Sequence, residues 1–271
     1  MDILEQLSYK VISRYLAIFM LIGILLFDTE NSQAQSKTYP FKRGEKLYYT
    51  MHYGWFKIGS AEIWIEPDLE THDGEEHYNI QCNIKTVSWF KIFSKLRIHM
   101  ESLVQADNLQ PYKSHRNLSD GKKIDIRYDH FKYADSVKID AYIEDIDKWR
   151  YHTFELGESP VRDVLSTYLW LRSRKDEELS STVSARTFFT NDLYEFQMNP
   201  GKKTTYKYLG SNVGAQEFEL IFPEGDYFEK GKKGRVIVSD DANKLPLKFE
   251  LDMTVGAFSF EIESIKYGIN Q

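Results

Sequence analysis

The chain has 271 residues and carries 35 basic and 41 acidic side chains, which gives a formal net charge of −6. A mildly acidic surface of mixed sign has no long-range attraction for phosphate backbones, so we expect no nucleic-acid partner. A single cysteine cannot form an internal disulfide, so the fold must be stabilised by a large buried core.

Residues 1–34 have the pattern of a signal peptide. An apolar segment over 11–27 has basic residues at its start and is followed by the small-residue exit at 32–34. A membrane-spanning helix needs about 20 apolar residues, so a cleaved export signal is favoured over the alternative, a retained N-terminal anchor.

The export signal predicts where the mature chain, 35–271, is found. The cysteine, Cys82, lies far downstream of the cleavage region, so no lipid anchor is expected there. We therefore expect a periplasmic or secreted protein that does not span a membrane after cleavage.

From residue 41 onward, apolar residues alternate with polar ones, the period of a half-buried β-strand. In 78–85 the apolar face carries Tyr78, Ile80, Cys82 and Ile84. In 123–129 the pattern places Ile124, Ile126 and Tyr128 in the core, with the Lys, Asp and Arg side chains in water. Similar runs, separated by turn residues, cover 47–53, 60–65, 96–104, 137–143, 206–209, 217–222, 235–238, 247–253 and 258–265.

One segment, 159–174, has a helical period instead. Val161, Val164, Leu165 and Tyr168 fall on one stripe, Ser159 is the expected N-cap, and Pro160 suits the first helical position. A helix among many strands is expected to be a plug or a lid against a curved sheet.

These patterns predict an all-β fold, either a large curved antiparallel sheet or an open β-barrel of about a dozen strands with one helix. A domain boundary within 157–180 is the alternative to a single domain over 35–271, which is favoured because the pattern is alike on both sides. The strands alternate with charged residues, so a transmembrane barrel is not expected.

Three segments of the chain carry a specific order of motifs: the opening, 163–172, and 239–248 with 255–257. The opening positions are Gly44, Glu45, Leu47, Tyr49, Gly59 and Ala61. These segments resemble the DUF3108 family, which has F-x-x-G-E-x-L-x-Y and G-x-A strands, a D-x-L-S-x-x-Y-x-x-R helix and similar closing strands. Val236 or Val238 stands where the family often has an aromatic residue.

The resemblance covers roughly 41–268. It implies an exported bacterial envelope protein with a curved antiparallel sheet, related in shape to the lipoprotein-carrier half-barrels. The family offers no catalytic residues to carry over.

The sequence contains no motif for a metal, cofactor or nucleophile site. The seven histidines include no H-E-x-x-H motif and no i, i+4 pair. His72 and His77 fall in an acidic turn, which we interpret as a solvated hairpin; the alternative interpretation is an opportunistic cation site. The segment 210–214 indicates a hairpin turn, and the basic cluster 230–235 indicates a charged turn whose alternative is an anion-binding patch. The seven histidines of the chain are His52, His72, His77, His99, His115, His130 and His152.

We therefore expect no catalytic, metal or cofactor residues, and no enzyme. An enzyme would require carboxylates such as Glu62, Glu101 or Asp125 to converge in a cleft.

The aromatic content is 15%, and rings fill the core of a wide sheet well. The alternative is a cavity under the helix that holds an acyl chain or another apolar ligand. The leading hypothesis is a non-catalytic binding or carrier protein for a lipid-like ligand. The alternative is an envelope assembly factor that contacts a protein partner through strand edges or an exposed loop at Trp89, without a small ligand.

Overall fold

The computed structural model of the protein describes residues 39–87, 95–157, 159–223, 233–252 and 257–268. The predicted signal peptide and the aromatic segment at Trp89 lie outside these residues. The strands are β1 (Lys46–Tyr53), β2 (Phe56–Ile65), β3 (Glu70–His72), β4 (Glu75–Thr86), β5 (Arg97–Gln105), β6 (Pro111–Ser119), β7 (Ile124–Tyr133), β8 (Ser136–Ile143), β9 (Lys148–Glu155), β10 (Val161–Arg162), β11 (Val183–Phe189), β12 (Asp192–Tyr208), β13 (Ser211–Ile221), β14 (Lys233–Ser239), β15 (Pro246–Asp252) and β16 (Ala257–Lys266).

All of these strands belong to one sheet, in the order β10 to β16 and then β1, β2 and β4 to β9, with β3 paired to β4 off this path. The pairs are antiparallel except for β10 with β11. Because β16 pairs with β1, the two ends of the described chain meet in the middle of the strand order. The connections are therefore nearly all between neighbours in sequence.

The two end strands of this order, β9 and β10, lie near each other. Arg186 of β11 donates from Nη1 to the carbonyl oxygen of Glu155 at the end of β9, at 2.9 Å. The sheet therefore curves into a nearly closed barrel. A buried apolar cluster joins β7 and β8 to β10 and β11, and consists of Phe131, Val137, Ile139, Val161 and Phe188.

The prediction of an all-β fold with one helix is confirmed, with sixteen strands in the described residues instead of about a dozen. The pattern missed β6, β9, β11, most of β12 and the short strands β3 and β10. In β9 six of eight residues are exposed, so burial imposes no clear alternation on its sequence. An end strand of this kind carries little hydrophobic signal.

The predicted faces of β7 are wrong. Arg127 is buried, whereas Ile124 and Tyr128 are exposed. The interior here is polar: Arg127 Nε donates to Asp129 Oδ1 at 2.7 Å, and its Nη1 donates to Asn191 at 3.0 Å. Because Asp129 and Asn191 accept from the Nε and Nη1 of Arg127 inside the barrel, the charged face of the strand can turn inward.

The predicted helix over 159–174 begins later, as α1 (Val164–Arg172), the one α-helix in the described part of the chain. Ser159 is not the N-cap, because residues 161–162 pair with β11 as a short strand. Asp163 caps the helix instead: its Oδ1 accepts from the Ser166 backbone N–H at 2.7 Å, and Ser166 Oγ accepts from the Asp163 N–H at 3.1 Å. This reciprocal pair is a capping box.

The helix lies inside the barrel and is attached to both sides of it. Ser102 of β5 donates to Asp163 Oδ2 at 2.5 Å. On the other side, the Thr167 hydroxyl lies 3.1 Å from the Thr187 hydroxyl of β11. The helix therefore fills the interior as a plug, with buried side chains that include Val164, Leu165, Leu169 and Trp170.

A buried ion pair fixes the far end of the helix. The Arg172 guanidinium donates to both carboxylate oxygens of Glu45, which lies just before β1. Both side chains are almost fully buried, at 2% and 3% exposed. Arg172 Nη2 also donates to the carbonyl oxygen of Asn243, between β14 and β15, at 3.0 Å. One guanidinium thus joins the beginning of the sheet, the helix and a turn of the C-terminal half.

Two glycines of the opening motif allow neighbouring backbone segments to approach each other closely. Gly44 has a φ of +74° and approaches the backbone of Gly268, whose N–H donates to the Gly44 carbonyl at 2.9 Å. At Gly59, an added Cβ would lie 2.6 Å from the carbonyl oxygen of Lys85 on β4. A side chain at Gly59 would therefore push β2 and β4 apart.

We predict that Glu45→Gln lowers the free energy of unfolding by roughly 3–5 kcal/mol, because it leaves the Arg172 charge buried without its carboxylate. Urea unfolding followed by tryptophan fluorescence measures this. Glu219→Gln is the matched control, since it breaks an exposed pair with Lys233 and should cost at most about 1 kcal/mol. Equal, small costs for the two variants would contradict the structural role of the pair.

Candidate functional site

A cavity lies between α1 and the inner face of the sheet. Its volume is about 80 Å³. A cavity needs only about 10–15 Å³ to hold one water molecule, so this one has room for a small apolar group. Its lining is mostly apolar and includes Tyr49, Ile63, Cys82, Met100, Leu165, Met198, Phe218, Val236 and Phe249.

The lining comes from both halves of the chain. β1, β2, β4 and β5 supply one wall, and β12 to β15 supply the other, with the helix between them. Met100 lies on one wall of the cavity and Met198 on the other. Methionine side chains are flexible and adapt to ligands of irregular shape. The period-two pattern predicted the inward direction of Ile80, Cys82 and Ile84 in β4, and their burial confirms it.

One side of the cavity is open to solvent and carries polar groups. The half-buried lining residues Leu171, Leu179 and Val238 mark this side. Lys244, which also lines the cavity, forms an ion pair with the exposed Asp176. The cavity therefore combines an apolar interior with a cationic side chain at its rim.

Two tyrosines at the polar side stay neutral. Tyr49 donates to the Pro246 carbonyl oxygen at 2.9 Å. Burial raises the pKa of Tyr168 to about 12, although the nearby Arg172 opposes the shift. At neutral pH these phenols can position a ligand through hydrogen bonds but are not poised to exchange protons.

Cys82 is a core residue, as predicted. It is 2% exposed. Burial raises the pKa of its thiol to about 12, and the negative charge of Glu62 adds to the effect. A thiol that remains protonated is a poor nucleophile, so Cys82 contributes apolar lining to the cavity.

The carboxylates considered for an enzyme belong to different environments. Glu62 pairs with Lys46 on the outer face, at 3.1 Å. Asp125 accepts two hydrogen bonds from Arg116, at 3.0 and 3.1 Å. Each of these two carboxylates therefore has a cationic partner of its own.

Glu101 lies instead on the outer face of β5, beside two histidines. His115 of β6 stands directly opposite Glu101 in the strand pairing, and His99 is two positions away on β5. The two histidine rings are 6.0 Å apart. The spacing of residues along the sequence did not reveal this group, because the group forms only when β5 pairs with β6. The H-x-E pattern of His99 and Glu101 in β5 was the one local signal for it.

The two histidines of the predicted acidic turn lie in the strands on either side of it: His72 ends β3, and His77 is buried in β4. His72 Nε2 lies 3.0 Å from Glu70 Oε2, and its ring contacts those of His77 and Tyr112. A hairpin turn is present next to the predicted segment 210–214, but it consists of Leu209 and Gly210, and residues 211–214 already belong to β13. Residues 230–232 of the basic cluster lie outside the described residues, whereas residues 233–235 belong to the beginning of β14.

Fold and site together define an all-β, barrel-like protein with an internal helix and an apolar cavity. The profile of the family described as "Protein of unknown function (DUF3108)" matches residues 48–263. The chain belongs to the DUF3108 family, which confirms the resemblance of its motifs. No curated protein matches the chain at a significant level.

Solved structures of similar fold share little sequence with the chain. A β-barrel-like DUF1849 protein from Brucella abortus has a TM-score of 0.56 at 9% identity, over 84% of this chain and 100% of that one. A protein from Bacteroides fragilis with a YmcC-like fold, inferred to be exported, has a TM-score of 0.35 at 8% identity, over 86% and 100% of the two chains. The first of these supports the barrel-like fold alone.

Within the described residues, none of the helices has the length and apolar character needed to cross a bilayer.

We predict that the Cys82 thiol does not react with 5,5′-dithiobis(2-nitrobenzoate) in native buffer and reacts fully in concentrated urea. Unfolding removes the burial that raises its pKa, so the pKa returns to about 8.5. Absorbance of the released thiolate measures both states, with N-acetylcysteine as the fully reactive control. Rapid stoichiometric reaction of the native chain would show that Cys82 is accessible.

Proposed function

We propose that the mature chain is a non-catalytic protein of the bacterial envelope that binds an apolar, lipid-like ligand between α1 and the sheet. The observation that carries this proposal is the apolar cavity beside a helix that is attached at both ends. The leader pattern of residues 1–34 supports export to the periplasm or beyond.

The shape of the cavity supports a ligand that enters with its apolar end first. The enclosed space is smaller than the roughly 150 Å³ that accommodates benzene in an apolar cavity. It therefore suits the terminal part of an acyl chain, with the rest extending along Leu171, Leu179 and Val238. Lys244 at the rim can exchange its ion pair with the exposed Asp176 for one with an anionic headgroup.

A second candidate is a protein-assembly role without a small ligand. It is favoured by exposed rings near the end strand β9, where Trp149 is 53% exposed and Tyr151 is 74% exposed. An end strand also presents backbone groups that can pair with another chain. Capture of the same envelope protein by the native chain, and not by a Trp149→Ser, Tyr151→Ser variant, would favour this role.

We predict that the mature protein, purified from its own envelope without detergent, carries excess mass in native mass spectrometry. Extraction with organic solvent should remove that mass. Val236→Phe fills the cavity and should abolish the excess mass, because the added ring occupies the space of the ligand.

Ile139→Phe is the matched control for this experiment. Ile139 is fully buried in the separate apolar cluster where the end strands of the sheet meet. A larger side chain there carries a similar overpacking cost of about 1–3 kcal/mol and does not fill the cavity. A bare mass for the native protein, or equal ligand loss in both variants, would contradict a carrier role for the cavity.

A further inference from the structure

The outer face of the sheet holds a cluster of side chains that the apolar cavity does not involve. One ring nitrogen each of His99 and His115 and one carboxylate oxygen of Glu101 all lie within 4.8 Å of one another. The three side chains are half-buried, so they are held by neighbours and remain reachable from solvent. Two imidazoles and a carboxylate form a ligand set that Zn²⁺ uses with a fourth position open.

We propose that His99, Glu101 and His115 form a binding site for a divalent transition-metal ion, with Zn²⁺ as the best match to the ligand set. In tetrahedral coordination, ligand atoms about 2.0–2.2 Å from the metal lie about 3.3 Å from one another. The ligand atoms therefore close by about 1.5 Å at most, which side-chain rotations supply. The strand backbones need not move.

Hydrogen bonds around the cluster hold two of the ligands in the required form. His99 Nδ1 lies 2.9 Å from Asn83 Oδ1, and because that oxygen only accepts, Nδ1 carries the proton. Nε2 then carries the lone pair that is available to a metal ion. Asn79 Nδ2 donates to Glu101 Oε1 at 2.6 Å, which leaves Oε2 as the ligand atom. Metal sites typically have such outer hydrogen bonds.

The third ligand is positioned by stacking. The His115 ring lies against Tyr128 of β7 with 4.6 Å between ring centroids and 14° between planes. On the other side, Trp64 of β2 lies 6.5 Å from His99. The rings flank the cluster, and strand pairing fixes the relative positions of all three ligands on two adjacent strands.

The sequence offers a nearby histidine for a matched control. His130 lies on β7, also on the outer face, and its ring contacts Tyr112 instead of the cluster. The Glu70, His72 and His77 group is the nearest competing set of ligands, and Asn79 connects it to Glu101 through a hydrogen bond to Glu70 at 2.6 Å. Substitutions of His130 and His72 therefore distinguish metal binding at the proposed site from non-specific metal binding by other histidines.

The test is isothermal titration of the chelator-treated mature protein with Zn²⁺. We expect one saturable site, weakened at least about tenfold by H115Q or E101Q and unchanged in H130Q and H72Q. Asn83→Ala should weaken binding by about 10–100-fold, since it removes the group that orients His99. Absence of saturable binding, or equal affinity in H115Q and the native chain, would overturn the proposal.

A second measurement needs no variant and so does not depend on their folding. Electron paramagnetic resonance of the native chain with one equivalent of Cu²⁺ should show coupling to two imidazole nitrogens. Coupling to one nitrogen or to none would overturn the assignment of both histidines to one ion.

Discussion

The buried ion pair between Arg172 and Glu45 joins parts of the chain that lie far apart in sequence. A guanidinium and a carboxylate removed from water are stable only when each satisfies the other. Here the pair brings together the chain before β1, the end of α1 and the turn after β14, through the Asn243 carbonyl. The helix is thereby held inside a sheet whose first and last strands are also paired. The space that the helix leaves unfilled becomes the apolar cavity.

The motif residues of the family acquire a structural explanation from this arrangement. Glu45 and Arg172 form the ion pair, Asp163 and Ser166 form the capping box, and Gly59 permits close approach of β2 and β4. The turn that begins at Ser239 is stabilised by its own hydroxyl, which accepts from the Leu245 N–H at 2.8 Å. These residues position the helix against the sheet, whereas the cavity is lined by ordinary apolar side chains. These residues therefore account for the plugged barrel and not for the composition of the cavity lining.

The sequence predicted the strand-rich fold and the inward face of β4 because burial on one side imposes a period of two. It predicted the helix but not its first residue, since Asp163 could be recognised as the cap only after residues 161–162 were known to pair with β11. It gave the wrong faces for β7, because Arg127 and Asp129 satisfy each other inside the barrel. The pairing of Glu45 with Arg172, 127 positions apart, and the meeting of His99 with His115 depend on strand register, which no local pattern encodes.

The contacts of α1 at both of its ends imply that the helix is a fixed part of the barrel interior and not a mobile lid. Native-state hydrogen exchange of the amides of residues 167–172, followed against increasing urea, distinguishes these two states. We expect these amides to exchange only through global unfolding, with the same free energy as the amides in the middle of β1 and β16. Exchange through a local opening several kcal/mol below the global value would show instead that the helix leaves the barrel while the sheet stays folded.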